Sequence, residues 1–434
     1  MLYRIVRPIA ALGLKAFYRK IYLTNTDRIP VGKPVILAAN HPTAFLEPCI
    51  LACFLGRPLH FLVRGDLFQQ EFYAGLLRSL HMLPVFRFKD GGYGRIKDNY
   101  ATFEACYTAL HEGKTIMILA EGRTIQEKRL RPLQKGSARI PFGALEAYPD
   151  LEEVFIVPVG VNFTYADQPR SEVYIDFGQP ILARDYYSEY QENANQAITN
   201  VIDLLRERME QHIIIVEREE DDELVEYLHQ LHRTGSPYRV WPIISRKDSP
   251  LAMEMEIAGK VNGLSAQPRK QLLEECRAYF RKLDLLGIDD RAVGGKDYAT
   301  PLNVLILVMA FPLFLPGFLW NYPPVWLGKY ISDTRVKTLE FKAPVRWAAS
   351  LGAYVLYPLL WLIVAAIFGH SGLGLLAILL LLLLGHLALY YLEFRDRYRK
   401  SRKFRRLTPD QQQQLKEERD AILTFFRQQA VSNS

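Results

Sequence analysis

The sequence predicts an α/β protein, with a mixed or parallel sheet flanked by helices, followed by a helical region and C-terminal transmembrane helices. Three observations predict it. From Pro34 to about Pro180, short apolar runs rich in β-branched residues alternate with helical stretches. From Arg184 to about Arg291, apolar residues recur at helical spacing among acids and bases. Between Pro301 and Leu392 the chain becomes overwhelmingly apolar.

At 434 residues the chain exceeds one domain of ordinary size. The pattern divides it into an N-terminal helix (1–30), an α/β domain (31–183), a helical connecting region (184–300), a membrane region (301–394) and a basic tail (395–434). The opening MLYRIVRPIAALGLKAFYRKIY alternates apolar and basic residues. Arg7, Lys15, Arg19 and Lys20 interrupt it too often for a signal-peptide core or a span, which leaves an amphipathic helix on a bilayer surface or an ordinary first helix packed on the domain.

The sheet domain rests on six runs: Val35–Ala39, His60–Val63, Met82–Phe86, Thr115–Leu119, Val154–Val159 and Val173–Phe177. Their alternation with helices puts helices on both faces of the sheet. Beyond it, Gln196–Glu217 and Glu223–Arg233 read as charged helices that brace the sheet and connect it to the membrane part. Of the three apolar segments, Trp347–Phe368 and Leu373–Leu392 are long enough to span. Leu302–Tyr322 contains Pro312 and Pro316 and meets Pro323-Pro324, so a re-entrant or hairpin element is expected there.

Charge orients these segments. The loop Lys329–Arg346 and the tail after Leu392 are rich in Lys and Arg. Loop, tail and soluble domain share the cytoplasmic side when the first segment re-enters and the other two form a hairpin. The formal net charge of +7 suits anionic lipid or phosphorylated substrates. No nucleic-acid partner is expected, since no recognition-helix, RRM or zinc-finger pattern is present. Cys49, Cys53, Cys106 and Cys276 lack metal-ligand spacing and a disulfide framework, which argues for a reduced cytosolic setting and no metal.

Two stretches carry chemistry. Ala38-Ala39-Asn40-His41-Pro42-Thr43-Ala44-Phe45-Leu46-Glu47 leaves an apolar strand and opens a helix. A His paired with an acid at such a junction can act as a general base, because the carboxylate fixes the tautomer and stabilises the imidazolium. Six residues along a regular helix would turn Glu47 about 120° away from His41. His41 is therefore expected on the turn, with Glu47 reaching back from the first helical turns and Asn40 and Thr43 capping. The second stretch, Ile118-Leu119-Ala120-Glu121-Gly122-Arg123-Thr124, also leaves a strand and precedes Lys128, Arg129, Arg131, Lys135 and Arg139. Gly permits close backbone approach and Arg grips phosphate oxygens, so this loop suits a phosphate. Loops at the ends of strands in one sheet meet at one edge, which favours a shared site over two unrelated polar loops.

These blocks, in this order, resemble the phospholipid/glycerol acyltransferase superfamily, which contains glycerol-3-phosphate and 1-acylglycerol-3-phosphate acyltransferases. Asn40, His41 and Glu47 match its Asn-His…Asp block, with the acid one position later than usual and Glu in place of Asp. Phe61–Phe68 followed by Leu83-Pro84-Val85-Phe86-Arg87 match the second block. Leu119–Thr124 with Leu133-Gln134-Lys135-Gly136 match the third, although Arg and Thr stand in reversed order, and Ile156-Val157-Pro158-Val159-Gly160 match the fourth. The resemblance runs from about Ile29 to Leu182.

The resemblance implies a membrane-bound O-acyltransferase using acyl-CoA or an acyl carrier protein as co-substrate, with no metal or organic cofactor. In it His41 is the base and Glu47 its partner. Asn40, Arg64, Arg87, Glu121, Gly122, Arg123 and Lys135 surround the substrates, and a backbone amide near Gly136 or Gly65 meets the developing oxyanion. The longer His-to-acid spacing and the apolar C-terminal region are similar to the subgroup that acylates glycerol 3-phosphate or dihydroxyacetone phosphate. The alternatives are a 1-acylglycerol-3-phosphate acceptor and, in another class, a non-catalytic lipid-binding membrane protein. A binding module, however, has no use for an imidazole base. A transporter is disfavoured because the apolar segments hold few ionisable groups beyond His370 and His386.

Overall fold

In the computed structural model, which describes residues 2–85, 98–235, 241–247 and 249–432, the apolar runs pair into one mixed sheet. Among the described residues it has nine strands: β1 (Lys20–Thr24), β2 (Val35–Ala39), β3 (Leu59–Arg64), β4 (Met82–Val85), β5 (Thr115–Leu119), β6 (Phe155–Phe163), β7 (Glu172–Phe177), β8 (Ile181–Leu182) and β9 (Ile244–Ser245). Their order is β4-β3-β5-β2-β6-β7-β1-β9, with β8 pairing on β6. The β6 pairs with β7 and β8 are antiparallel, and the other pairings are parallel. The sheet is thus mixed, the first of the two expected forms.

The position of β2 sets up everything that follows. It lies between β5 and β6, with Ala39 in register with both Leu119 and Val159, and all five of its residues are buried. A strand covered on both faces needs a continuous apolar run, which Val-Ile-Leu-Ala-Ala supplies. Parallel pairing brings the C-terminal ends of β2 and β5 to the same edge, and with them the two polar stretches.

Three expectations change. The N-terminal segment is not one helix through residue 30: helix α1 (Leu2–Phe17) stops, and Lys20–Thr24 joins the sheet parallel to β7. Ile21 and Leu23 are fully buried there, and the Lys20 ammonium donates to Pro242 O at 2.6 Å. The sheet also reaches outside the block 31–183, through β1 and through β9, which pairs with β1. Finally, the segment expected to break at its prolines is one continuous helix, Pro301–Arg335. Each proline removes one N–H donor, whereas in a bilayer unwinding would strand several backbone groups with no water to satisfy them.

Contacts divide the chain into two units. One comprises Met1–Ile214, Val240–Leu251 and Arg335–Trp347; the other comprises Ile215–Arg239, Ala252–Thr334 and Ala348–Ser434. The first holds the sheet, α1, α2 (Leu46–Phe54), α3 (Glu71–Ser79), α4 (Asp98–His111) and α5 (Gly136–Ala147). Among the described residues, three helices are long and apolar enough to cross a membrane: Pro301–Arg335, Leu339–Ile367 and Gly372–Arg405. Inside the second unit these three are tied by Asn321, which donates to Leu381 O at 3.1 Å and accepts from the Tyr354 hydroxyl at 2.8 Å.

Candidate active site

Strand β2 ends at Ala39, and Pro42 cannot extend it. His41 sits in the loop that follows. Glu47 lies in the first turn of α2, where a carboxylate is favoured by the helix dipole. The expected geometry is present: His41 Nδ1 lies 2.5 Å from Glu47 Oε1, and both groups are buried. The other Glu47 oxygen accepts from the Thr43 hydroxyl, and Thr43 Oγ1 in turn accepts from Leu46 N at 3.3 Å. An ionised carboxylate only accepts, so the ring proton belongs on Nδ1 and Nε2 is left as the proton acceptor. Facing that nitrogen, at 2.6 Å, is the hydroxyl of Thr124.

The β5 loop is fastened to the β2 loop by backbone and carboxylate. Glu121 Oε2 accepts from His41 N at 2.7 Å, and Oε1 accepts from Arg131 N at 2.9 Å. Burial pushes the Glu121 carboxyl above its usual range, and the two amides pull it partly back. Further bonds run from Ala120 N to Ala39 O (2.8 Å) and from Ile125 N to His41 O (3.2 Å). Gly122 makes the turn with φ +70°; a Cβ there would lie 2.7 Å from Gln134 Cγ. Here glycine answers both a left-handed backbone and a close neighbour.

The remaining expected residues are distributed unevenly. Asn40 is not a cap and is not open to substrate. Its amide donates to Val161 O at 2.9 Å and accepts from Val161 N at 2.7 Å, so it locks β2 to β6 inside the sheet. Glu121 likewise spends both oxygens on backbone amides. Arg64 stands exposed at the end of β3, beyond β5 from β2, and its guanidinium grips Asp66 at 3.1 and 2.8 Å. Arg123 and Lys135 are exposed, Arg123 beside Gly122 and Lys135 at the N-cap of α5. Arg87 lies outside the described residues. Of the neighbouring cations, Arg131 pairs with Glu127 at 2.5 Å.

Two contacts escaped the sequence reading. One is Thr124 on the imidazole, hidden because only the order Arg-Thr in the third block hinted at it. The other comes from the distant segment 335–347. Ala44 N donates to Glu340 O at 3.2 Å, and the Trp347 ring lies 6.5 Å from that of Phe45. The start of an apolar helix therefore braces the loop between His41 and Glu47.

The Asn40 lock gives a stability prediction. Asn40→Ala leaves the buried Val161 N–H and C=O without their side-chain partners and should cost about 1–3 kcal/mol per stranded group. A denaturant midpoint measured on the purified protein checks this; an unchanged midpoint would mean that β6 re-pairs without Asn40.

Comparison with known proteins finds acyltransferases. The family described as Acyltransferase matches residues 20–162. Glycerol-3-phosphate O-acyltransferase 1 of Saccharomyces cerevisiae is 23% identical over 271 residues, 59% of this chain and 35% of that protein. Glycerol-3-phosphate O-acyltransferase 2 of the same yeast is 25% identical over 210 residues, 46% of this chain and 26% of its own. An uncharacterized acyltransferase of Schizosaccharomyces pombe is 20% identical over 431 residues, 77% of this chain and 62% of its own. The crystal structure of the 1-acyl-sn-glycerophosphate acyltransferase of Thermotoga maritima matches 47% of this chain and 79% of that one, at 17% identity and a TM-score of 0.33. The matched part of the curated relatives is 35%, 26% and 62% of their length. The stretch that carries His41, Glu47 and Glu121 is matched, over residues 20–162, by the acyltransferase family.

Proposed function

We propose that the protein transfers a fatty acyl group from a thioester, acyl-CoA or acyl carrier protein, to a hydroxyl of glycerol 3-phosphate or dihydroxyacetone phosphate. The observation that carries this reading is the buried His41–Glu47 pair, whose second ring nitrogen, Nε2, meets Thr124 on the loop of the neighbouring parallel strand. In the reaction, the acceptor oxygen attacks the thioester carbonyl carbon while His41 Nε2 takes its proton. Glu47 stabilises the imidazolium. The tetrahedral intermediate collapses with cleavage of the C–S bond, and the departing thiolate takes the proton back from His41. The thioester supplies the activation, so the chemistry calls for no metal or organic cofactor.

Arg123 and Lys135 are the cations of the β5 loop side assigned to the acceptor phosphate. Arg64 can join them by exchanging Asp66 for phosphate, since a guanidinium receives both groups through the same fork of donors. The apolar helices anchor the protein in the bilayer, and we assign the active domain to the cytoplasmic face. The basic flanks favour this orientation. So does the packing of segment 335–347 on the loop beside His41, which keeps that basic stretch with the active domain.

Purified protein in detergent, given labelled acyl-CoA and a panel of acceptors, tests the assignment. The highest kcat/KM is expected for glycerol 3-phosphate, in line with the His-to-acid spacing and the names of the yeast relatives. Preference for 1-acylglycerol 3-phosphate would replace the acceptor while keeping the chemistry. Transfer to no acceptor would favour a lipid-binding protein instead.

A further inference from the structure

A general base must present an open lone pair to the hydroxyl that it deprotonates. In this protein the lone pair is not open. The Thr124 hydroxyl donates to His41 Nε2 at 2.6 Å, while Glu47 and Thr43 complete the line on the other side of the ring. The position of Thr124 is fixed from both flanks: Glu121 Oε2 holds His41 N, and Ile125 N holds His41 O. The loop therefore cannot withdraw from the imidazole without breaking bonds to His41 itself. The hydroxyl can leave by rotation about the Thr124 Cα–Cβ bond, a motion that β-branching restricts to a few wells.

We propose that Thr124 is a positioning residue that caps the base in place of the acceptor hydroxyl and so keeps His41 from activating water against the bound thioester. The inference rests on the acyl-transfer reading above. Water at Nε2 would attack the carbonyl carbon as His41 takes its proton, the C–S bond would break, and the thiolate would recover the proton, yielding free fatty acid and thiol. The attacking oxygen would otherwise be the acceptor's, and the proton path is the same. Discrimination must therefore come from what occupies Nε2 before the acceptor arrives. The Thr124 hydroxyl occupies it with the hydrogen-bonding chemistry of an alcohol and, being attached to the chain, at high effective concentration. An acceptor held by its phosphate displaces the cap, whereas a lone water lacks the additional binding energy to do so.

The test measures two products from one donor. Full-length wild type, Thr124→Ala and Thr124→Ser, in detergent, are given acyl-CoA with and without glycerol 3-phosphate. Released fatty acid and acylated acceptor are quantified. Thr124→Ala should raise the ratio of hydrolysis to transfer by up to about tenfold, the factor one net hydrogen bond is worth. Thr124→Ser keeps the hydroxyl and should stay near wild type. An unchanged ratio in Thr124→Ala overturns the inference, as does a Ser variant as hydrolytic as Ala, which would make the methyl group responsible. An acyl adduct on Thr124, seen by intact mass in the wild type, would also overturn it and make Thr124 a nucleophile. Absence of transfer in the wild type would overturn the reaction assigned above, and this inference with it; normal wild-type transfer with an unchanged ratio in the variant removes this inference alone.

Discussion

Replacing His41 by Ala should lower acyl transfer about a hundredfold to ten-thousandfold, the range that loss of a general base produces. Burial of the imidazole complicates a simple deletion. His41 is 6% exposed and Glu47 fully buried, so His41→Ala removes the imidazole that pairs with a buried carboxylate and will also destabilise the fold. His41→Gln separates the two effects. Its amide can still donate toward Glu47 but cannot take a proton, so it should fold better than His41→Ala while turning over no faster. Steady-state rates alongside thermal melts distinguish the outcomes. A folded Gln variant with near-normal turnover would remove His41 from the chemistry.

The second large effect is expected at Glu47. Glu47→Gln preserves both contacts in shape, with the amide oxygen accepting from His41 Nδ1 and the amide nitrogen meeting Thr43 Oγ1. What it loses is the negative charge that stabilises the imidazolium. The rate should fall at least about a hundredfold with little change in acceptor KM, because the interaction is made in the transition state. Glu47→Asp tests reach. The backbone is fixed by α2, and shortening the side chain withdraws the carboxylate by about 1.5 Å, one C–C bond. The 2.5 Å contact to Nδ1 would open beyond hydrogen-bonding distance. Asp should therefore be slower than Glu here. If Asp matches Glu, α2 shifts to follow it, and the later position of the acid in this chain has no geometric cost. If Gln keeps full activity, Glu47 serves only the helix dipole.

The central strands were readable because their physics is local. Val35–Ala39 and Thr115–Leu119 are unbroken apolar runs whose only stable place is a doubly covered parallel sheet, and both appear with the expected bounds. Lys20–Thr24 was missed because its basic start continues the charge pattern of the preceding helix, whereas its pairing with β7 depends on residues about 150 positions away. The His41–Glu47 pair was readable from spacing, since six residues across a turn and one helical turn leave few ways for an acid to return to the ring. The roles of Asn40 and Arg64 were not. Asn40 finds Val161 across the sheet, and whether Arg64 meets a phosphate or Asp66 is decided by side-chain geometry that residue types alone do not specify. The prolines of 301–335 misled for a related reason: their breaking strength assumes that water can satisfy the freed groups.

The proposal that His41 and Glu47 work as one unit on one proton is tested directly by a double-mutant cycle. Rates of acyl transfer from acyl-CoA to the preferred acceptor are measured for wild type, His41→Gln, Glu47→Gln and the double variant, with each protein shown to be folded. Groups acting as a unit are strongly non-additive. The double variant should therefore be about as slow as His41→Gln alone. If the two losses instead multiply, the carboxylate and the imidazole contribute separately, and the pair seen at 2.5 Å is not the catalytic base of this protein.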